Sequence, residues 1–228
     1  MKYKAIFIDI DDTLLDYVPC CREAFDVAIE AINQPADEEL FQLFFDIAGR
    51  LFSEAKHGKY TIAQVMDMYP AEFVEALYDR CTPSDSPLTK EEMTEVFKHA
   101  FRAAWGKTHS LVPEAKEMLD MLQSKGYRLF AASNSFAHLQ RSRLEHAGIL
   151  HYFEDTYISM DIGYDKPDVR FFEEALRRAG LQANEVMMIG DSMTTDITGA
   201  QNAGIDALFF DRRNNASLME LIKPLGEM

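Results

Sequence analysis

Asp9, Asp11 and Asp12 crowd three carboxylates into four positions, directly after the apolar run Ala5-Ile6-Phe7-Ile8. Ending a buried run in that much negative charge is unfavourable unless something cationic lies there. Side chains two apart on a strand point the same way, so Asp9 and Asp11 can face one site while Ile10 turns back. Two facing carboxylates need a proton or a metal between them, and the expectation is a metal. Taken alone, the stretch could also be a strand running into a capped turn.

Three later stretches place polar groups where the same kind of element must end. Leu129-Phe130-Ala131-Ala132 runs into Ser133-Asn134-Ser135 immediately before a helix, and free N–H groups beside a hydroxyl make a natural phosphate site. The alternative is that these residues only cap that helix. In Gly163-Tyr164-Asp165-Lys166-Pro167-Asp168, the proline suits the first turn of a following helix and biases Lys166 away from helical geometry, leaving its ammonium to project from a loop. In Val186-Met187-Met188-Ile189-Gly190-Asp191-Ser192, a fully apolar run again meets a carboxylate, with Asp196 on the next helix. Gly190 permits close backbone approach, and Asp191 could complete a hard-cation site with Asp9. Capping explains Asp191 or Ser192, but not Asp196 as well. Four such coincidences outweigh the separate capping readings.

The elements that must carry these residues follow from periodicity. Residues 5–8 are β-branched and aromatic, as in a central strand of a parallel sheet, and ligand sites in such sheets lie beyond the strands' carboxyl ends. From Pro113 the pattern predicts helix 114–125, strand 128–132, helix 136–147, strand 156–159, helix 168–179, strand 186–190, helix 195–203, strand 206–210 and a short helix from about Ala216. That alternation implies an α/β fold with a doubly wound parallel sheet. Between lies a wholly helical stretch from about Cys20 to Lys107, opened by Pro19. Its apolar stripes cover Arg22–Ile32 and Leu40–Ala55. Thr61 is an expected N-cap, Pro70 a perturbation, Thr82–Pro87 a break, and Thr89 with Glu92 a capping box. The division expected is therefore an α/β core of residues 1–15 and 110–228, interrupted by a helical insertion of residues 16–109.

Nearly half of the 228 residues are apolar, and the formal net charge of −15 argues against nucleic-acid polymers and anionic membranes as general partners. Met1-Lys2-Tyr3 leads straight into a strand with no secretory pattern, and no apolar run is long enough to span a bilayer. A cytoplasmic location is expected, with Cys20, Cys21 and Cys81 reduced and free of metal-ligand spacing.

The set Asp9-Ile10-Asp11-Asp12-Thr13, Ser133-Asn134, Lys166-Pro167 and Gly190-Asp191-Ser192 with Asp196 resembles the four motifs of the haloacid dehalogenase (HAD) superfamily, in the family's order. The helical insertion resembles that family's type C1 cap. Segments Asn134-Ser135-Phe136, Leu144-Glu145-His146-Ala147-Gly148, Tyr152-Phe153 and Lys166-Pro167 are similar to its noncanonical pyrimidine 5′-nucleotidase branch, although Ser135 stands where many relatives have glycine. The resemblance implies a Rossmann-like core and a phosphatase in which Asp9 is the nucleophile and Asp11 the proton shuttle. It implies Mg²⁺ on Asp9, the main-chain carbonyl of Asp11, and Asp191. Ser133, Asn134, Thr13 and Lys166 would hold the phosphate. Asp196 and Ser192 would stand behind them, Asp196 holding metal-bound water or orienting Lys166. The cap would close as a lid, with Arg50, Lys56 and Lys59 near Gly58 as candidate substrate contacts.

The substrate implied is a small phosphorylated metabolite, with nucleoside 5′-monophosphates leading and sugar phosphates or phosphoglycolate behind, in a monomer or homodimer. Hydrolytic dehalogenation lacks the carboxylate that Asp11 supplies. A phosphomutase would keep both aspartates and differs by needing an acceptor. A non-catalytic phosphate-binding module is the alternative from another class, and it would show no Mg²⁺-dependent hydrolysis.

Overall fold

Ala5–Ile8 forms β1, four fully buried residues, and it needs neighbours on both edges because its backbone has no water to bond. It finds them in β2 (Arg128–Ser133) and β4 (Val186–Gly190), both parallel, with Ile6 opposite Leu129 on one side and Met187 on the other. With β3 (Asp155–Ile158) and β5 (Asp206–Phe209), the sheet runs β3-β2-β1-β4-β5, all parallel. The chain builds outward from β1 through β2 to β3, then returns across β1 to β4. The strand order therefore reverses beside β1, which in an open α/β sheet opens a ligand crevice beyond the carboxyl ends. A computed structural model supplies this description, for residues 2–78, 87–214 and 216–226.

Alternation along the strands sends alternate side chains to two helical layers. Ile6, Ile8, Leu129, Ala131, Met187 and Ile189 pack with helices α5 (Ala115–Ser124), α6 (Ala137–His146) and α10 (Leu218–Gly226). Ala5, Phe7, Phe130, Ala132, Val186 and Met188 pack with α8 (Val169–Ala179) and α9 (Gly199–Asn202). A sheet covered on both faces is why its central strands β1 and β4 read as continuous apolar runs. The short α7 (Ser159–Ile162) lies outside the periodic pattern.

The chain divides into two compact units, Met1–Tyr17 with His109–Met228, and Val18–Thr108. The second is helical: α1 (Tyr17–Ala31), α2 (Glu38–Lys56), α3 (Ile62–Tyr78) and α4 (Lys90–Trp105). Asp37 caps α2 through the Leu40 N–H at 2.8 Å, and Thr89 with Glu92 forms the expected capping box on α4. Thr61 and Gln64 cap α3 in the same reciprocal way. One proline expectation needs correction: Pro19 lies inside the first turn of α1 rather than opening it. Pro70 interrupts the hydrogen bonding of α3 without ending the helix. Proline has no N–H to offer the Met66 carbonyl one turn back, and Arg102 of α4 donates to that carbonyl at 3.1 Å instead. Phe44 centres the core, with ring centroids 5.1–5.6 Å from those of Phe25, Tyr69, Phe73, Phe97 and Phe101. Cys20 and Cys21 are buried on α1; Cys81 and the break at 82–86 lie outside the described residues. Among the described residues no helix is long and apolar enough to cross a membrane.

Candidate active site

The strand proper ends at Ile8, and Asp9 follows it with its N–H still bonded to the Ile189 carbonyl of β4 at 2.9 Å. That bond fixes Asp9 at the mouth of the crevice, where it is 7% exposed. The fully buried Ile10 belongs to the core, as alternation predicts.

Lys166 reaches this carboxylate. Its ammonium donates to Asp9 Oδ1 at 2.7 Å, Asp196 Oδ1 at 2.6 Å and the Ala132 carbonyl at 2.7 Å, using all three hydrogens. Burial alone would lower the lysine's pKa, but Asp196 and Asp9 outweigh it and hold the charged form above its ordinary range. Burial pushes the Asp9 carboxyl well above its usual range; Lys166 works against this, and Asp196 and Asp191 add to it.

The loop that delivers Lys166 differs from the sequence expectation. Asp168 caps α8, accepting from the Arg170 N–H at 3.0 Å, and Pro167 lies before that cap rather than in the first turn, joined to Lys166 by a cis peptide bond. Lys166 is held instead by Asn134, whose amide donates to the Lys166 carbonyl and accepts from the Lys166 N–H, both at 2.8 Å. Asn134, expected at the phosphate, is thus engaged on the lysine's main chain.

Asp196 arrives through a local departure from α geometry. A helix was expected over 195–203, but Met193–Thr198 is a π-helical turn, with the Ile197 N–H bonded to the Ser192 carbonyl five residues back. This turn brings the Asp196 carboxylate against Gly190. A Cβ on Gly190 would lie 2.4 Å from Asp196 Oδ2, so no side chain fits there. The Ser192 N–H donates to that same oxygen at 3.0 Å, and the Ser192 hydroxyl accepts from the Thr195 N–H at 3.3 Å. Oxygens of Asp9, Asp191 and Asp196 lie within 4.8 Å of one another.

Asp11 is held by residues the sequence reading missed. Arg143 Nη1 donates to Asp11 Oδ1 at 2.6 Å, and Gln140 Nε2 donates to Asp11 Oδ2 at 2.7 Å and to Ser133 Oγ at 3.0 Å. The signal was available: with Ala137 and Leu144, Gln140 and Arg143 put polar groups on the core-facing stripe of α6. Asp12, at φ 63°, shapes the turn, accepting from the Tyr17 N–H at 3.1 Å and from Arg212 at 2.7 Å; Arg212 also pairs with Asp16. Thr13 is fully buried, with no hydrogen-bond partner for its hydroxyl among the described residues. In the helical unit, Arg50 is paired with Glu54 and Glu72, Lys59 donates to Glu54 at 3.1 Å, and Lys56 is exposed.

The carboxyl ends of β1, β2 and β4 thus bring together carboxylates, one buried ammonium, a serine hydroxyl and a helix start. Comparison with known proteins gives the family. A family model described as haloacid dehalogenase-like hydrolase matches residues 3–204. The HAD-hydrolase YfnB of Bacillus subtilis is 26% identical over 222 residues, covering 97% of this chain and 89% of that protein. Its crystal structure, bound to magnesium and described as revealing interdomain movement, superposes with TM-score 0.81 at 25% identity, covering 96% of this chain and 92% of the other. A glyceraldehyde 3-phosphate phosphatase of Methanothermobacter thermautotrophicus is 32% identical, covering 90% of this chain and 84% of the relative. The pyrimidine 5′-nucleotidase PynA of Streptococcus pneumoniae is 27% identical, covering 92% and 85%.

Proposed function

The chain belongs to the haloacid dehalogenase-like hydrolase family, and we propose that within it this protein is a Mg²⁺-dependent phosphatase that hydrolyses a small phosphate monoester through a phosphorylated Asp9. The observation that carries the reading is the buried Lys166 ammonium, bonded at once to Asp9 and Asp196 beside Asp191. Three carboxylates against one ammonium leave a surplus of negative charge in a set of hard oxygen donors, which fits a small divalent cation. Asp9 and Asp191, with the Asp11 carbonyl, would hold Mg²⁺. Asp196, with both oxygens already bonded, would keep Lys166 in place behind them. When bound, the ion offsets the repulsion between Asp9 and an anionic phosphate.

The chain's own groups do the rest. An Asp9 oxygen attacks phosphorus, the ester P–O bond breaks, and Asp11 gives its proton to the departing oxygen. Asp11 then takes a proton from water as that water's oxygen attacks phosphorus, releasing inorganic phosphate and restoring Asp9. Ser133 and Lys166 steady phosphate oxygens as charge redistributes.

For the substrate, we take nucleoside 5′-monophosphates as the leading class, supported by the similarity of segments within 134–167 to pyrimidine 5′-nucleotidases and by the likeness to PynA. The relation to a glyceraldehyde 3-phosphate phosphatase at 32% identity supports a second reading, a sugar or triose phosphate. The test is phosphate release from nucleotides, sugar phosphates and phosphoglycolate, with Mg²⁺ and with excess chelator. We expect chelator-sensitive hydrolysis that Asp9→Asn abolishes without changing the circular dichroism spectrum. Activity confined to sugar phosphates would overturn the nucleotidase reading alone. Appreciable turnover by Asp9→Asn would overturn the mechanism.

A further inference from the structure

Asp11 is not simply a carboxylate in a crevice. It closes a ring of hydrogen bonds with two buried side chains of α6, built from both hydrogens of Arg143 Nη1 and both of Gln140 Nε2. Arg143 Nη1 donates one hydrogen to Asp11 Oδ1 at 2.6 Å and the other to Gln140 Oε1 at 2.8 Å. Because Arg143 can only donate, the Gln140 oxygen must face it, and the Gln140 amide nitrogen must face Asp11 and Ser133. That nitrogen gives one hydrogen to Asp11 Oδ2 at 2.7 Å and the other to Ser133 Oγ at 3.0 Å. Ser133, accepting there, keeps its own hydroxyl hydrogen to donate elsewhere.

Gln140 and the Arg143 side chain are wholly buried, whereas the Asp11 side chain is 28% exposed. A guanidinium buried among apolar helices is a poor way to gain stability, since a well-packed apolar residue does as well or better. The planar Arg143 Nη1 commits one hydrogen to Asp11 and the other to Gln140, which fixes the direction from which the carboxylate is held. Gln140 then ties that carboxylate to the serine at the end of β2.

We propose that Gln140 and Arg143 are positioning residues, which set the Asp11 carboxylate for proton transfer to the leaving group and tie its orientation to that of Ser133. This rests on the phosphatase reading above. Neither residue touches the reacting atoms; each acts through Asp11.

The test uses Gln140→Met, similar in length and neutral, with Arg143→Lys as a second variant that keeps the charge and loses the planar guanidinium. Each is checked for wild-type circular dichroism and assayed with Mg²⁺ on dinitrophenyl, nitrophenyl, phenyl and ethyl phosphate. The readout is kcat/KM, which covers steps up to loss of the leaving group. A dinitrophenolate leaves without a proton and an alkoxide does not. The loss should therefore grow along the series, reaching roughly 10–100-fold for ethyl phosphate, part of the roughly 10²–10⁴-fold that general acid help supplies. For dinitrophenyl phosphate it should stay within a few-fold. An equal loss on all four esters, or none on any, in a folded variant would overturn the positioning role and leave the phosphatase reading standing. A wild-type protein with no Mg²⁺-dependent hydrolysis of these four esters, nor of nucleotides, sugar phosphates or phosphoglycolate, would overturn both.

Discussion

Lys166 shows how much one residue can be asked to do. Its three hydrogens are committed to Asp9, Asp196 and a main-chain carbonyl, so its position is determined rather than sampled. Removing it would leave two buried carboxylates without their common counter-charge, a loss of about 3–5 kcal/mol for a broken buried pair. Lys166→Met is therefore expected to lower the urea midpoint and also to cut kcat by at least about 10²-fold, the scale of losing one preorganised donor to a transition state. Measured together, the two separate its roles: a fall in stability with unchanged kcat would confine the lysine to structure.

At the scale of elements, what matters is how strand ends and helix starts are bent to meet. The π-helical turn over Met193–Thr198 brings Asp196 against Gly190, and the missing side chain at 190 is the room it occupies. Gly190→Ala would force a methyl into that carboxylate, and overpacking of this kind destabilises by about 1–3 kcal/mol. Denaturant titration should show that loss. A variant as stable as wild type would mean the turn shifts freely, and that Asp196 is not rigidly placed. Arg102 at the Met66 carbonyl illustrates the same economy elsewhere: the gap a proline leaves in one helix is filled from the next.

The whole molecule comprises two units, each with its own core, and that predicts separable unfolding. The chain's single tryptophan, Trp105, lies in the aromatic core of the helical unit and reports on that unit alone. Phe44→Ala removes the ring at the centre of that core, a change that typically destabilises by about 3–5 kcal/mol. Its fluorescence transition should move to lower denaturant while part of the circular dichroism signal unfolds at the wild-type midpoint. Both signals moving together would show a single cooperative unit.

Much of this protein is legible in its sequence, because the information is local. Central parallel strands buried on both faces must read as short apolar runs, so β1, β2 and β4 and the α/β class follow from composition and period. The acids, serine and lysine at the strand ends are equally visible, since a carboxylate or ammonium after an apolar run conflicts with its surroundings. What the tertiary structure alone decided is who answers whom. Asn134 is 32 residues from Lys166, and Arg143 is 132 from Asp11, and no period or spacing encodes such pairings. The turn after β4 reads as α-helix in the sequence because a π-turn differs by one residue in hydrogen-bond reach, which leaves the side-chain pattern almost unchanged. Sequence by itself determined that acids, a serine and a lysine stand at the strand and loop ends. Their partners, and so their orientations, were set by long-range contacts that exist only once the sheet has brought its strand ends together.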